Sequence, residues 1–132
     1  MKYIQVVTSG DGGYSYGENL KSLVYKDTGI SLGIGEDSEQ VYYISVYSNS
    51  IETTLGAKVG DNAFETFKKY DKLYKGYVEK SYNNKLIGWY VLEPDTVIIF
   101  DISKDDHKII NDDVNQFSTI EAIYLLYSPA LN

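Results

Sequence analysis

Residues 50–76, SIETTLGAKVGDNAFETFKKYDKLYKG, decide how the rest of the chain is interpreted, because they hold its one strong helix signal. Asp61 or Asn62 can accept a hydrogen bond from the free N–H groups of a first helical turn. Glu65 stands three residues after Asn62, as in a capping box. Gly76 offers the left-handed residue on which many helices end.

An aromatic stripe runs along this segment. Its rings recur at helical spacing: Phe64, Phe67, Tyr70 and Tyr74. A stripe of this kind is typical of a helix that packs on a core. The pattern therefore predicts one main helix near 61–75, packed on a sheet through the first three of these rings.

Most of the remaining chain has the alternation and turn residues of β-strands. The predicted strands are residues 3–8, 20–26, 30–34, 41–48, 77–82, 86–92, 96–102 and 120–127. The nearly continuous apolar run at 96–102 predicts the central strand, and residues 103–118 a long polar excursion. We therefore expect an α+β fold with an antiparallel sheet of about seven or eight strands and one main helix.

A length of 132 residues fits a single domain, 1–132. A weak internal duplication, 20–48 and 86–128, can be aligned by matching Thr28 with Thr96 and Ile34 with Ile102. The strands that follow, 41–48 and 120–128, both end in Tyr-Ser. Each half would be a three-stranded meander, although chance alternation of strand residues produces similar matches.

Composition favours a protein partner over a nucleic acid. The net charge is −7, and all twelve basic residues are lysine. Arginine supplies the bidentate contacts that read bases and clamp phosphates, so an acidic chain without it is poorly suited to nucleic acid. A basic protein surface is the better match, although acidity can also serve solubility alone.

Fourteen tyrosines are the most unusual feature of the composition. Tyrosine offers a large rigid ring and one hydroxyl, which suits recognition surfaces. Codon bias in an AT-rich genome is the alternative explanation. No apolar run is long enough to span a membrane. The apolar run near the N-terminus is too short for a signal peptide. We expect a cytoplasmic protein if the chain is intact, and an extracytoplasmic one if it is a trimmed lipoprotein domain.

The sequence matches no known catalytic or metal-binding motif. The single histidine, His107, follows Asp105 and Asp106 in a spacing that matches neither an EF-hand nor a zinc signature. There is no cysteine and no nucleophile elbow. Glu93 and Asp101 could pair across one hairpin, which keeps a small carboxylate enzyme as a weak alternative. We expect no metal, no cofactor and no enzymatic activity.

The alternation in 41–48, VYYISVYS, suggests a recognition face. Tyr42 shares a side with Ile44 and Val46, so that side is the expected core. Tyr43 and Tyr47 then point outward. Tyr124 and Tyr127 take opposite faces of the last strand. The predicted partner-binding residues are Tyr43, Tyr47, Tyr124, Asp105, Asp106, Asp112 and Asp113, with a solvated crossover as the alternative reading of the aspartates.

A short motif carries a family resemblance. The run TTLGAKVGD includes Thr54, Gly56, Lys58, Val59, Gly60 and Asp61, and Phe67 and Tyr70 follow it. It resembles the T-x-x-G-x-K-V-G-D…F-x-x-Y opening of small domains in exported lipoproteins of low-GC Gram-positive bacteria, whose fold is similar to the BLIP/BamE-like class. The resemblance spans residues 51–128 if the strands are counted. Asn62 and Asp71 depart from the serine and glycine common there.

The resemblance implies a helical segment on an antiparallel sheet and a mostly non-enzymatic class, so it carries over no catalytic residues. The acidity, the tyrosines, the small size and the lack of catalytic motifs predict a non-catalytic module of inhibitor or immunity type that binds a basic protein. The alternative, which the resemblance implies, is an accessory or structural domain of a Gram-positive envelope lipoprotein.

Overall fold

The computed structural model describes residues 5–9, 18–79 and 83–127. These residues form one helix and eight strands: β1 (Gln5–Ser9), β2 (Leu20–Tyr25), β3 (Ile30–Gly35), β4 (Val41–Val46), α1 (Ala63–Leu73), β5 (Lys75–Glu79), β6 (Asn84–Glu93), β7 (Thr96–Asp101) and β8 (Ala122–Tyr127). Every strand pairing is antiparallel. The predicted α+β class is confirmed. Within these ranges no helix is long and apolar enough to cross a membrane.

The sheet has the order β1-β2-β3-β4-β8-β7-β6-β5. It consists of two four-stranded meanders, joined where β4 pairs with β8, with Val46 opposite Ile123. Two meander halves are what the predicted duplication would produce, each with one more outer strand. The duplication stays a prediction, and the two Tyr-Ser ends differ in their surroundings. Tyr47 lies beside Tyr124, whereas Tyr127 stacks on Tyr42 on the other face of the sheet.

The prediction that residues 96–102 form the central strand is wrong, because β4 and β8 occupy the centre. β7 is nevertheless buried from Val97 through Asp101. Side chains cover it on both faces: Phe67 contacts Phe100 on one side, and Trp89 packs with Ile99 on the other. The continuous apolar run therefore reflects cover on both faces and not the strand's place in the order.

Helix α1 begins where its capping residue predicts. The Oδ1 atom of Asn62 accepts a hydrogen bond from the Glu65 N–H at 3.1 Å, which satisfies one free donor of the first turn. The predicted end is wrong. Tyr74 is already extended, β5 starts at Lys75, and Gly76 lies inside that strand. The helix ends because the chain passes directly into an edge strand.

Two rings of α1 lie against β6 and β7. The Tyr70 and Phe100 centroids are 4.8 Å apart, and Phe67 and Phe100 are 6.3 Å apart. The prediction that Phe64 joins this packing is wrong, since Phe64 is 41% exposed. The buried positions of α1 are Ala63, Thr66, Phe67 and Tyr70. Phe64 lies about 100° around the helix from Ala63 and so points past the edge of the stripe.

Candidate protein-binding face

The sheet has a helix face, which carries Tyr90, Ile98 and Phe100 against α1, and an opposite face. Alternation along β4 separates neighbouring tyrosines between the two. Tyr42 is buried on the helix face, where it stacks on Tyr127 with centroids 6.2 Å apart. Tyr43 and Tyr47 therefore point to the opposite face, as predicted. Tyr47 is 42% exposed.

A third tyrosine from β8 joins them. Tyr124 is aligned with Ser45, so it lies on the same face as Tyr43 and Tyr47. Its ring centroid is 6.0 Å from that of Tyr47, in an edge-on arrangement at 79°. We call Tyr43, Tyr47 and Tyr124 the tyrosine face. The structure thus brings together the three aromatic residues predicted for partner binding, and their role stays a prediction.

Tyr43 is held in place by the neighbouring strands. Its ring lies across Gly33 of β3, and a Cβ atom at position 33 would overlap it. Its hydroxyl shares a hydrogen bond of 2.9 Å with the Ser22 Oγ atom on β2. Glycine at position 33 therefore makes room for a ring that both packs on the sheet and remains half exposed.

A buried carboxylate lies beside the third tyrosine. Asp101, 2% exposed, accepts a hydrogen bond from the Ser103 N–H at 2.9 Å. Burial raises the pKa of Asp101, and the carboxylates of Asp106 and Glu121 add to the rise, while hydrogen bonds from Ser103 and Tyr124 oppose it. Burial also raises the pKa of Tyr124, with Tyr47 and Asp101 contributing. The Tyr124 hydroxyl therefore stays protonated and is directed by a fixed acceptor.

The predicted pairing of Glu93 with Asp101 is wrong. Glu93 is aligned with Thr96 at the start of β7, whereas Asp101 is aligned with Ala122 at its other end. The length of a strand separates the two carboxylates. The hairpin therefore does not assemble the acid pair that glycoside cleavage requires.

The predicted aspartates all lie in the exposed loop 103–118: Asp105, Asp106, Asp112 and Asp113. Of these, the carboxylate of Asp106 contributes to the raised pKa of Asp101. Asp112 pairs with Lys108 at 3.9 Å, with both side chains 65% exposed. Such a pair contributes little to stability. No contact among the described residues places Asp105, Asp112 or Asp113 against the tyrosines.

The same loop is anchored by a residue that sequence reasoning missed. Asn111 is buried, and its Nδ2 atom donates to the Ile87 and Phe100 carbonyls at 2.8 and 2.7 Å. Its Oδ1 atom accepts from the Ile102 N–H at 3.0 Å. The Trp89 indole adds a bond to the Ile109 carbonyl at 3.0 Å. An asparagine in a polar loop gives no sequence signal of burial, so only the fold reveals this anchor.

His107 lies in the same loop. It is exposed and left-handed, with φ 62°. Among the described residues no group of three or more His, Asp or Glu side chains is placed to hold a metal ion. On this face, burial raises the pKa values of both Asp101 and Tyr124.

Comparisons with known proteins give no assignment to set beside this geometry. No family model matches the chain, and neither a curated protein nor a solved structure matches it. Any function must therefore be inferred from the residues described above.

Proposed function

We propose that the chain is a non-catalytic protein-binding module of inhibitor or immunity type, which recognises a basic protein through the tyrosine face. The observation that carries this proposal is the grouping of Tyr43 in β4, Tyr47 directly after β4 and Tyr124 in β8 on the face opposite the helix-covered core. Tyrosines enriched on an accessible face are typical of interaction surfaces.

The rigidity of these rings supports binding. β4 and β8 are each paired on both sides, so the backbone that presents the rings is fixed. The hydroxyl of Tyr43 is held by Ser22, and that of Tyr124 is directed toward Asp101. A pre-ordered ring loses little conformational entropy when a partner packs on it, which leaves more of the contact energy for affinity.

Charge supports a basic partner. The chain carries a net charge of −7, and Glu121 lies next to Asp101, since its N–H donates to the Asp101 carbonyl at 2.8 Å. An acidic rim beside aromatic rings attracts a cationic surface and speeds encounter. Arginine on a partner would also gain by stacking on a tyrosine ring.

The test begins with a partner captured from the native host by the immobilised chain. Its affinity is then measured by calorimetry for the wild type and for Tyr47→Ala. We expect Tyr47→Ala to weaken binding by about 1–2 kcal/mol while the melting temperature stays nearly constant. The matched control is Phe117→Ala, since Phe117 is 80% exposed and lies outside the tyrosine face.

The salt dependence of the same complex tests the charge argument. If the partner is basic, the association rate falls as ionic strength rises, because screening weakens the attraction. The proposal fails if Tyr47→Ala binds as the wild type does, or if Phe117→Ala loses as much affinity as Tyr47→Ala.

A further inference from the structure

A concave apolar site lies on the helix face of the sheet, opposite the tyrosine face. It is a cavity of about 340 Å³ between the sheet and the C-terminal turn of α1. Its floor consists of aliphatic side chains from four strands: Ile44, Val46, Leu92, Ile98, Ile123 and Leu125. Tyr70 and Tyr74 form one wall, and Glu52, Thr53 and Thr54 form the rim. This volume lies within the range of small-molecule sites.

The cavity exists because α1 covers only part of the helix face. The helix has 11 residues, and its buried rings lie over Tyr90 and Phe100 in β6 and β7. Side chains of β4 and β8 beyond its reach, such as Val46 and Leu125, stay only partly buried. An apolar ligand that removes this concave apolar surface from water would therefore bind favourably.

Hydrogen bonds fix the wall and the rim. The Tyr70 hydroxyl donates to the Thr53 Oγ1 atom at 2.9 Å, and the Ala57 N–H donates to the same atom at 3.1 Å. The Tyr70 and Tyr74 rings stack with centroids 5.5 Å apart. The segment before the helix and the end of the helix are thus tied together. A ligand would enter a preformed site without first ordering it.

The rim determines which head group fits. Glu52 is the one charged residue among the described residues that line the cavity. The Tyr74 ring lies in the same lining. A carboxylate and an aromatic ring that line one site favour an ammonium group there, through ion pairing and cation–π attraction. A carboxylate head group would be repelled by Glu52.

We propose that this cavity binds a small amphiphile, with an aliphatic chain on the β4–β8 floor and an ammonium head group at Glu52 and Tyr74. This site does not depend on the proposed protein-binding function, because it lies on the other face of the sheet.

The full chain is titrated with dodecyltrimethylammonium and with laurate, each below its micelle-forming concentration, by calorimetry and amide NMR. We expect the ammonium amphiphile to bind one to one and at least about tenfold more tightly than laurate, with shifts concentrated at the lining residues. Tetramethylammonium, which lacks the chain, should bind far more weakly.

Two charge variants distinguish the effect of Glu52 at the rim from the effect of the net charge of the protein. Glu52→Lys should weaken binding of the ammonium amphiphile about tenfold or more and strengthen binding of laurate. Glu36→Lys makes the same change in net charge at an exposed residue outside the cavity lining, and should leave the preference for the ammonium head group in place.

A filling variant tests the floor. Val46→Phe places a ring into the cavity and should abolish saturable binding of both amphiphiles. If that variant does not fold, the comparison of Glu52→Lys with Glu36→Lys decides alone. The proposal is overturned if the wild type shows no saturable binding, if laurate binds as tightly as the ammonium amphiphile, or if the two charge variants behave alike.

Discussion

The two faces of the sheet use tyrosine in opposite ways, and β4 shows this at adjacent residues. Tyr42 is buried on the helix face, and its hydroxyl donates to the Glu18 Oε2 atom at 2.9 Å. Tyr43 lies half exposed over Gly33 on the other face. The two residues are chemically identical, and strand alternation alone separates core from surface. A tyrosine-rich sequence therefore indicates recognition only where the alternation points the rings away from the covered face.

The largest expected difference between buried and exposed aromatic residues lies within α1. Phe67 is 7% exposed and contacts Tyr90 and Phe100, whereas Phe64 is 41% exposed. Phe67→Ala should lower the free energy of unfolding by about 3–5 kcal/mol. Phe64→Ala should cost less than about 1 kcal/mol. Urea titrations that gave the two variants equal losses would contradict the assigned helix orientation.

A smaller loss of stability is expected on the tyrosine face, because the Tyr43 ring is partly exposed and also packs on β3. Tyr43→Ala removes the ring that lies on Gly33 and should destabilise the fold by about 1–3 kcal/mol. Tyr43→Phe keeps the ring and removes only the hydrogen bond to Ser22, at about 1 kcal/mol. If Tyr43→Ala melts like the wild type, its ring does not pack on β3.

Two carboxylates extend the comparison to pH. Glu18 accepts from the Asp37 and Ser38 N–H groups at 2.9 and 3.0 Å. The hydrogen bonds from Ser38 are the main reason that the pKa of Glu18 falls from 4.5 to about 2. Its stabilising contribution is complete above pH 4.5 and is lost as the pH falls through 2. Thermal melts of Glu18→Gln between pH 2 and 7 should therefore lose part of the wild-type acid dependence, and an unchanged profile would contradict this role.

The contribution of Asp101 to stability should change with pH in the opposite direction to that of Glu18. Burial raises its pKa above the usual 3.8, so the folded state binds the proton more tightly than the unfolded chain does. Its favourable contribution is present below pH 3.8 and is lost as the pH rises through the folded pKa. Asp101→Asn removes the buried charge, so relative to the wild type it should gain stability as the pH rises from 4 to 7. A gain in the reverse direction would contradict the assignment.

The motif behind the BLIP/BamE-like resemblance has a local structural explanation. Gly56 and Gly60 are left-handed, with φ 84° and 99°, a conformation that glycine adopts at low cost. The Asp61 Oδ2 atom accepts from the Lys58 N–H at 3.0 Å. Asp71, one of the departures, accepts from the Tyr90 hydroxyl at 2.9 Å. These residues shape a loop and a helix start, and the resemblance itself stays a prediction.

The sequence predicted those features that depend on residues close together in the chain. The cap at Asn62 and the alternation of Tyr42 and Tyr43 follow from hydrogen bonding and strand geometry within a few residues. The central strand pair and the burial of Asn111 depend on residues far apart in the chain, which periodicity does not encode. The exposure of Phe64 depends on where a three-turn helix sits on the sheet. For the same reason, the cavity below Tyr70 and Tyr74 had no sequence signal.

Site-specific photo-crosslinking can show whether a partner contacts the tyrosine face. A benzophenone amino acid is placed at Tyr47, and in a matched variant at Phe64, which is equally exposed but lies on α1. Each variant is irradiated in host extract after its melting temperature has been checked. We expect a basic protein to be crosslinked from position 47 and not from position 64. Crosslinking from position 64 alone, or equally from both, would contradict the assignment of the tyrosine face as the binding surface.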